Sequence, residues 1–397
     1  MSRPATAAVV GYARTPFGKF GGSLRPMSLP DLGAHVVRAA LSRAGLDGSD
    51  VDELVFGVNF PGSDRSIARQ ISLRAGLPAD RISYTVDQAC CSALTATTMA
   101  ARSIALGEAR CAISGGAENL SRVPYFLETT RWGNRLGPIT LTDQLVVSCP
   151  HTGVPRAIQA ADEAAAFGID RVAQDEWAVR SQERFAAAVA QGFVDHELAP
   201  VSTEVDGERV SLAVDEVPRP GVTLAALAAL PTVNGSATVT AGNAPNLSTG
   251  AGALVLMSDD EVAARGATRR ATLSGWSLVC GEPAAIASIP ATAIRAALAK
   301  AELTLDDVDL IEINEAFAAV PLVSTHVLGD GDRSRTAKLR EITNVNGGAI
   351  AVGHPTSATG ARLVMTAIGE LERRGGGTAV VGICGGVGEA AGIVVRV

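Results

Sequence analysis

The segment RAALSRAGLDGSDVD, residues 38–52, occurs a second time without a gap as RAALAKAELTLDDVD, residues 295–309. Each copy predicts an amphipathic helix, a short turn and then a strand, ELVFGV from Glu53 and LIEINEAF from Leu310. Both strands are apolar enough to lie inside a sheet that helices cover on both faces. Two copies this far apart do not form a solenoid, whose repeats follow one another every ~20–50 residues. The repeat therefore predicts two similar α/β halves.

The composition indicates an α/β enzyme with more than one folded unit. The chain has 397 residues, and single hydrophobic cores stop growing at about 250–300 residues, so two or three units are expected. Hydrophobic residues make up 47% of the chain and glycines number 42, which fits buried strands joined by tight turns.

Charge and cysteine usage set the expected partners and location. The chain has 34 basic and 41 acidic residues and a net charge of -7, so we expect no nucleic-acid partner, and an anionic substrate needs a local basic site. No charged leader and no membrane-length apolar run are visible, so we expect no membrane partner. Six cysteines without a regular framework predict reduced thiols in the cytoplasm. The sequence contains no Cys-x-x-Cys pair and no histidine cluster, so no metal site is predicted.

Four short stretches, far apart in the chain, carry residues suited to acyl transfer. They are VDQACCSAL around Cys90, NEAFA from Asn314, NGGAIAVGHP around His354 and CGGVG from Cys384. Making or breaking a bond between two carbonyl-bearing carbons needs a nucleophile that can hold an acyl group and a base that can handle an α proton. A thiolate serves as the nucleophile and an imidazole as the base.

Cys90 is predicted to stand where an apolar strand near Ile82 gives way to a helix. A helix N-terminus presents a positive dipole end and free amides, which lower the pKa of a thiol. His354 is expected to orient and deprotonate Cys90, because an imidazole titrates near neutrality. The paired glycines before His354 and the proline after it predict a tight turn rather than an apolar helix face. The other thiols are interpreted as packing residues, namely Cys91, Cys111, Cys149 and Cys280.

With five further segments in the same order, these stretches make the chain similar to the thiolase family over essentially its whole length. The segments are GYARTPFGKFGGSL, SIARQISLRAGLP, GGAENLSRVP, DEWAVRSQERFAAA and TVTAGNAPNLSTGAGA. The resemblance implies an α/β thiolase fold, in which two similar halves pack together and an inserted loop domain covers the substrate. It places the N-terminal half at residues 1–119, completed by about 249–269, the loop domain at 120–248 and the C-terminal half at 270–397.

The resemblance also implies an activity, the transfer of an acyl group to or from coenzyme A. A 3-ketoacyl thioester is made or cleaved through an acylated Cys90, and the implied partners are the acyl-CoA and coenzyme A itself. No cofactor is implied, since coenzyme A is a substrate or product. Asn314 would fix a water that donates to an oxyanion, and one such donor is typically worth ~10²–10³ in rate. Thiolases form dimers, many of which pair into tetramers, so a homodimer or homotetramer is expected.

The stretch at Cys384 can be aligned with the family in two registers. Counting back without a gap from GGVG puts Gly382 at the family's cysteine, whereas a short deletion puts Cys384 there. In the second register Cys384 would move the α proton, and the amides of Gly386 and Cys90 would form an oxyanion hole. General acid–base catalysis of this kind contributes typically ~10²–10⁴ in rate.

The substrate channel contains both matches to the family and departures from it. Arg219 matches an arginine near the nucleotide phosphates, a task suited to a bidentate guanidinium, although a surface arginine is the alternative. Phe317 matches the channel phenylalanine. The family's His-Met-Gly run is replaced at residues 155–157, with Arg156 in the middle, and the serine after Asn-Ala is Pro245. These departures predict a longer or functionalised acyl chain and weak activity on acetoacetyl-CoA.

Two other interpretations of the family resemblance stay open. One is a thiolase-like protein of shifted chemistry that condenses carrier-protein-linked substrates, and the other is a degenerate binding subunit without catalysis. A ketoacyl synthase is a further enzymatic alternative, but that family uses a second histidine where this chain has Asn314. The pair of Cys90 and His354 favours an enzyme, because a scaffold does not need an activated thiol beside an imidazole. The acyl chain and the direction of the reaction are left undecided.

Overall fold

The computed structural model describes residues 6–128, 130–146 and 148–397, so the first five residues of the N-terminal stretch lie outside the described part. The strands within it are β1 (Thr6–Arg14), β2 (Gly18–Lys19), β3 (Glu53–Gly57), β4 (Ile82–Val86), β5 (Cys111–Asn119), β6 (Tyr125–Phe126), β7 (Thr142–Asp143), β8 (Val201–Val205), β9 (Glu208–Leu212), β10 (Ser248–Met257), β11 (Ala271–Cys280), β12 (Leu310–Ile313), β13 (Thr378–Cys384) and β14 (Glu389–Arg396). The helices are α1 (Leu29–Ala44), α2 (Ile67–Ala75), α3 (Ser92–Ala105), α4 (Arg156–Ala166), α5 (Arg171–Ala190), α6 (Leu224–Ala228), α7 (Asp259–Arg265), α8 (Ile289–Lys300), α9 (Ala319–Leu328), α10 (Arg333–Glu341), α11 (Ala349–Val352) and α12 (Thr359–Arg374).

Two groups of strands in the same order form the two halves of the molecule. The order is β4-β3-β5-β10-β1 in the first group and β12-β13-β14-β11 in the second. In both groups a parallel pair, β3 with β5 and β12 with β13, is followed by an antiparallel pair. Strand β4, which pairs parallel with β3, has no counterpart among the described strands of the second group. The groups join edge to edge where β1 pairs with β11, from Thr6 opposite Ser274 to Val9 opposite Ala271. The prediction of two similar α/β halves is confirmed.

The sequence repeat forms the same local structure in both halves. Helix α1 leads through a 3₁₀ turn into β3, and α8 leads through a 3₁₀ turn into β12. A glycine in the first strand of each half lets the helix approach closely. A β carbon on Gly11 would stand 2.6 Å from the carbonyl oxygen of Ala40, and one on Gly275 would stand 2.4 Å from that of Ala297. Only glycine fits such a contact without a backbone shift.

Helices α3 and α12 lie together in the centre of the molecule. Apolar side chains such as Leu94 from α3 and Leu363 from α12 share one buried cluster with residues from the strands of both halves. Helices α1 and α2 pack on the other face of the first group of strands, and α8 and α9 pack against the second group. The two central helices therefore connect the halves.

The chain between β5 and β10 carries α4, α5, α6 and the hairpin of β8 with β9. Helices α4 and α5 share a core with α8 and α9, to which α5 contributes Trp177. The buried Arg14 in β1 ties this region to the first half, because its guanidinium lies 2.6 Å from Glu197 and 2.7 Å from Asp215. Over the described residues, no helix combines the length and the apolar character needed to cross a membrane.

Candidate active site

A cavity of about 560 Å³ opens where the two halves meet the inserted region. Its lining includes most of the residues that the sequence singles out, namely Cys90, His354, Cys384, Gly386, Phe317, Pro245 and Arg156. Asn314 is buried, and its Nδ2 lies 3.4 Å from Nε2 of His354. Arg219 does not belong to this lining. Residues from both halves of the chain therefore converge on one cavity.

The candidate nucleophile and the candidate base are in contact. Nε2 of His354 lies 3.2 Å from Sγ of Cys90. Cys90 follows strand β4 and stands just before Ser92, the first residue of α3. The preceding residue, Ala89, has a φ of 48°. A residue with a side chain is strained in this conformation, and such strain is concentrated in functional turns.

The expectation of a low pKa for Cys90 is wrong. Burial raises the pKa of Cys90 to about 12, and the Glu118 carboxyl adds to the rise, whereas the Arg156 guanidinium opposes it. The expectation that His354 titrates near neutrality is also wrong, because burial and the charge of Arg362 lower its pKa to about 3. Desolvation is the largest cause of both shifts. Both shifts favour an uncharged thiol beside an uncharged imidazole at neutral pH.

A threonine fixes the tautomer of His354. Oγ1 of Thr359 lies 2.7 Å from Nδ1 of His354, and the same hydroxyl donates to the carbonyl oxygen of Pro355 at 3.1 Å. The hydroxyl therefore accepts from Nδ1–H, which leaves the Nε2 lone pair free to accept from Cys90. Sequence reasoning missed Thr359 in this role. The available signal was a hydroxyl residue at the start of α12, five positions after the histidine.

The turn that presents His354 depends on a glycine. Gly353 has a φ of 101°, and a β carbon there would stand 2.4 Å from Oγ of Ser248. The Ser248 hydroxyl also accepts from the backbone amide of His354 at 3.2 Å. The predicted turn is interrupted by the short helix α11, whose apolar residues are all buried. Burial of these side chains explains why one helical turn forms inside a glycine-rich stretch.

Asn314 and Glu315, which open the NEAFA stretch, have different tasks. Nδ2 of Asn314 lies 3.4 Å from Nε2 of His354, while its Oδ1 has no hydrogen-bond partner in the described part of the chain. The side chain of Glu315 accepts from Trp177 at 2.8 Å and from Ser181 at 2.7 Å, both on α5. It also accepts from Asn344 and from the amide of Ile350. Glu315 therefore anchors the segment that carries Asn314, a role that sequence reasoning missed.

Strand β13 brings Cys384, and not Gly382, into the cavity. A β carbon on Gly382 would stand 2.8 Å from Cδ1 of Ile294 in α8, so this position faces a packed helix. Cys384 lies at the end of the strand and lines the cavity. Burial and the neighbouring Cys90 raise its pKa above the usual range for a thiol. This geometry favours the register with the short deletion.

The amide of Gly386 is not free to bind an oxyanion, in contrast to the prediction. It donates to Oε1 of Glu389 at 3.0 Å, and the amide of Val387 donates to Oε2 at 2.7 Å. The amide of Gly385 donates to the backbone carbonyl of Glu389 at 2.7 Å. The side chain of Glu389 thus folds back over the turn after Cys384 and occupies its donors. No motif in the sequence indicated this contact.

The predicted channel residues lie at different depths. Phe317 and Pro245 line the cavity together with Arg156, the first residue of α4. Arg219 is exposed on the loop before α6, where its guanidinium donates to Oδ1 of Asn246 at 2.7 Å and to the carbonyl oxygen of Ala241 at 3.2 Å. Both of these partners line the cavity. Arg219 therefore stands outside the cavity wall, behind two residues of its lining.

A buried carboxyl group near the thiol was also missed from sequence. Glu118, in β5, accepts hydrogen bonds from Thr356 and Ser357 at 2.6 Å each and from the amide of Phe60 at 3.0 Å. Burial raises its pKa. The signal was an acidic residue near the end of an otherwise uncharged buried strand.

The remaining cysteines and the acidic residues suggest no further chemistry. All six cysteines are free thiols. Cys91 is buried and donates to the carbonyl oxygen of Ile383 at 3.3 Å. Cys111 and Cys149 are buried, but Cys280 is exposed, so its interpretation as a packing residue is wrong. Within residues 6–128, 130–146 and 148–397, no group of three or more His, Cys, Asp or Glu side chains is placed to hold a metal ion.

Comparisons with known families match both halves of the chain. Residues 7–260 match the family described as "Thiolase, N-terminal domain", and residues 267–397 match "Thiolase, C-terminal domain". The two matches together extend over almost the whole chain.

Similar proteins and structures cover nearly the same length. An acetyl-CoA acetyltransferase of Cupriavidus necator is 40% identical over 390 residues, 96% of this chain and 97% of that protein. A beta-ketoadipyl-CoA thiolase of Acinetobacter baylyi is 39% identical over 409 residues, 98% and 99% of the two chains. The crystal structure of human mitochondrial 3-ketoacyl-CoA thiolase in complex with CoA is similar with a TM-score of 0.92 and 37% identity, covering 99% of this chain and 98% of that chain.

Proposed function

Since the chain belongs to the thiolase family, we propose that Cys90, His354 and Cys384 divide its reaction between them. The protein is an acyltransferase that makes or cleaves a 3-ketoacyl thioester with coenzyme A through a cysteine acyl-enzyme. The observation that carries the assignment of residues is the 3.2 Å contact between Cys90 and His354 in a cavity that Cys384 also lines.

In the first half-reaction Cys90 attacks the 3-keto carbonyl of the bound thioester. Its thiol proton passes to Nε2 of His354, which the tautomer set by Thr359 leaves free to accept. The bond between the α carbon and the keto carbon breaks, and the α carbon takes a proton from the Cys384 thiol. Acetyl-CoA leaves and the acyl group stays on Cys90. The high pKa of both thiols supports this order, because each holds its proton until the reaction needs it.

In the second half-reaction a molecule of coenzyme A removes the acyl group. Its thiol gives a proton to the Cys384 thiolate, its sulfur attacks the acyl carbonyl, and Cys90 recovers its proton from His354. The reverse sequence condenses two acyl-CoA molecules. The Oδ1 of Asn314, beside this pair, has no partner among the described residues, which suits a group that holds a water molecule against the reacting carbonyl.

Coenzyme A is the thiol substrate, in keeping with the related structure that contains it. We propose that the pantetheine arm passes Phe317 and Pro245, which line the cavity. The position of Arg219 behind Asn246 supports a role near the phosphates only in part, because its guanidinium is already hydrogen-bonded to the protein. To bind a phosphate, the Arg219 guanidinium would have to give up its hydrogen bond to Asn246 or to the carbonyl oxygen of Ala241.

We also propose a cytoplasmic homodimer or homotetramer. Free thiols throughout the chain support a reducing compartment. Several large apolar side chains between β6 and α4 are exposed, including Trp132 at 75% and Leu136 at 100%, and exposed apolar groups of this kind are typical of contacts between subunits. Light scattering of the purified protein measures the assembly, and a monomer would exclude both forms.

The function is tested by acylation in the absence of an acceptor. The protein is incubated with acetyl-CoA, and its intact mass and peptide masses are measured. We expect one acetyl group on Cys90, no adduct in Cys90→Ser because a hydroxyl is a poor nucleophile at neutral pH, and an unchanged adduct in the control Cys280→Ser. An adduct of equal amount in Cys90→Ser would refute the assignment of the nucleophile.

A further inference from the structure

Arg156 brings a guanidinium into the cavity next to the reacting groups. Its Nη2 lies 3.3 Å from the point where a β carbon on Gly386 would stand, and the β carbon of Ala89 lies at the same distance from that point. The guanidinium and the turn that carries Cys90 therefore face each other across Gly386. The positive charge of Arg156 acts on the thiol, because it opposes the rise in the pKa of Cys90 that burial causes.

The charge of Arg156 is not neutralised by an acidic side chain of the described residues. Its Nη1 donates to the neutral amide of Gln159 at 2.8 Å. Of the neighbouring carboxyl groups, Glu118 binds two hydroxyl groups, Glu163 binds the amides of Ala287 and Ser288, and Glu389 binds the amides after Cys384. A partly buried cation without a counter-ion is costly, so its presence in a cavity calls for an anionic ligand.

The rest of the cavity wall makes this charge distinctive. The cavity wall combines apolar residues such as Ala157, Ile286 and Phe317 with neutral polar ones, and the described residues that line it include no acidic side chain. A methyl-terminated chain would meet the guanidinium without satisfying its hydrogen bonds, whereas a carboxylate would accept two parallel bonds from it. Arg156 is therefore the point at which the wall selects an acyl chain by its charge. The rest of the wall selects by size and shape.

We propose that Arg156 recognises a carboxylate at the distal end of the transferred acyl group, so that the substrates are 3-oxo thioesters of dicarboxylic acids. The inference rests on the proposed function, since the acyl group must be held by Cys90. In cleavage a bond forms between Sγ of Cys90 and the 3-keto carbon, the bond from this carbon to the α carbon breaks, the thiol proton passes to His354, and the α carbon takes its proton from Cys384. With a simple acyl-CoA probe the bond to the CoA sulfur breaks instead, and the leaving sulfur takes the proton from His354. The distal carboxylate is not altered and serves only for binding.

Two acyl-CoA probes of equal chain length separate charge from size. Succinyl-CoA and butyryl-CoA both deliver four carbons to Cys90 and differ in a terminal carboxylate or methyl group. The rate of adduct formation is followed by intact mass at low concentrations of each probe. We expect the wild-type protein to favour succinyl-CoA by about 10- to 100-fold, the range of a charge-assisted hydrogen-bonded pair. In Arg156→Met this ratio falls to about one.

Matched variants show whether the effect belongs to this position. Arg156→Lys keeps the charge but loses the planar fork, so an intermediate ratio is expected. Arg333→Met makes the same change at an exposed arginine on α10, away from the cavity lining, and keeps the wild-type ratio. Thermal unfolding of each variant confirms that the fold is intact.

Three results would overturn the inference. One is equal acylation of the wild-type protein by both probes. Another is an equal loss of both rates in Arg156→Met with an unchanged ratio, which would make Arg156 an electrostatic support of Cys90 alone. In both cases acylation of Cys90 by acetyl-CoA continues and the proposed function stands. The absence of any adduct with acetyl-, butyryl- and succinyl-CoA would refute the proposed function and, with it, the inference.

Discussion

The hydroxyl of Thr359 lies 2.7 Å from Nδ1 of His354 and holds the ring so that Nε2, 3.2 Å from Cys90, has a free lone pair. The threonine does not reach the substrate cavity, so it is a positioning residue. Its own hydroxyl proton is directed to the carbonyl oxygen of Pro355. A side chain outside the cavity therefore decides which ring nitrogen acts as the base.

Replacing Thr359 by valine should slow acylation without removing the thiol. Val has the same shape but leaves Nδ1–H without an acceptor, a loss worth about 10- to 100-fold in rate. Thr359→Ser restores the hydroxyl and should recover most of the activity. The measurement is the single-turnover rate of Cys90 acylation by acetyl-CoA. Equal rates in the valine and serine variants would show that the hydroxyl has no part in orienting His354.

The rate of Cys90 acylation should be nearly independent of pH from about pH 5 to about pH 9. Burial lowers the pKa of His354 to about 3 and raises that of Cys90 to about 12. Between these values the pair neither gains nor loses a proton. The fraction of pairs with the proton on Nε2 is then constant. In His354→Gln the thiol must lose its proton to water, so the rate should increase about tenfold per pH unit. A wild-type profile with a midpoint near pH 6.5 would contradict a neutral, buried imidazole.

Cys384→Ala should separate acylation from carbon–carbon bond chemistry. Transfer of an acetyl group from acetyl-CoA to Cys90 needs no α proton, so the adduct should still form. Condensation, cleavage and solvent exchange of the α proton should each fall by about 10² to 10⁴. Mass spectrometry in deuterated water follows the exchange. Normal exchange in the variant would show that another group moves the proton.

Glu315→Gln should destabilise the protein, because the buried carboxyl accepts from Trp177, Ser181, Asn344 and Ile350. The amide nitrogen of glutamine would face donors, and we expect a loss of about 2–4 kcal/mol in the free energy of unfolding. Urea titration measures it. The control Glu208→Gln, on the exposed strand β9, should change stability by less than about 0.5 kcal/mol. Equal effects in both variants would show that the network is not stabilising.

Local patterns in the sequence were sufficient to predict the fold class and the main chemical groups. The repeated segments at residues 38–52 and 295–309 have the periods of helix and strand, which are set by neighbouring residues. Cys90 and His354 were identified from short motifs, and their contact agrees with the chemistry that those motifs suggest. Roles for the individual site residues stay predictions until the variants are measured.

Features that depend on contacts between distant segments could not be predicted. The pKa of Cys90 follows from how completely the turn is buried, which the helix N-terminus alone does not reveal. Gly382 and Cys384 lie on the same face of β13, so the choice between them required knowing how far along the strand the contact with α8 ends and the cavity begins. The amide of Gly386 was expected to be free. It donates to the side chain of Glu389, and the sequence does not reveal this contact. Arg156 donates to the neutral Gln159 and has no acidic partner within the described part of the chain, which is likewise a tertiary property.

The matching strand orders of the two halves place site residues next to corresponding elements. Helices α3 and α12 are equivalent, and they follow Cys90 and His354; strands β5 and β13 are equivalent, and they carry Glu118 and Cys384 near their ends. Cys90 and His354 therefore occupy corresponding positions in the two halves. Glu118 and Cys384 form a second such pair. Each half supplies only one member of each pair, so the reacting groups come together only where the two halves meet.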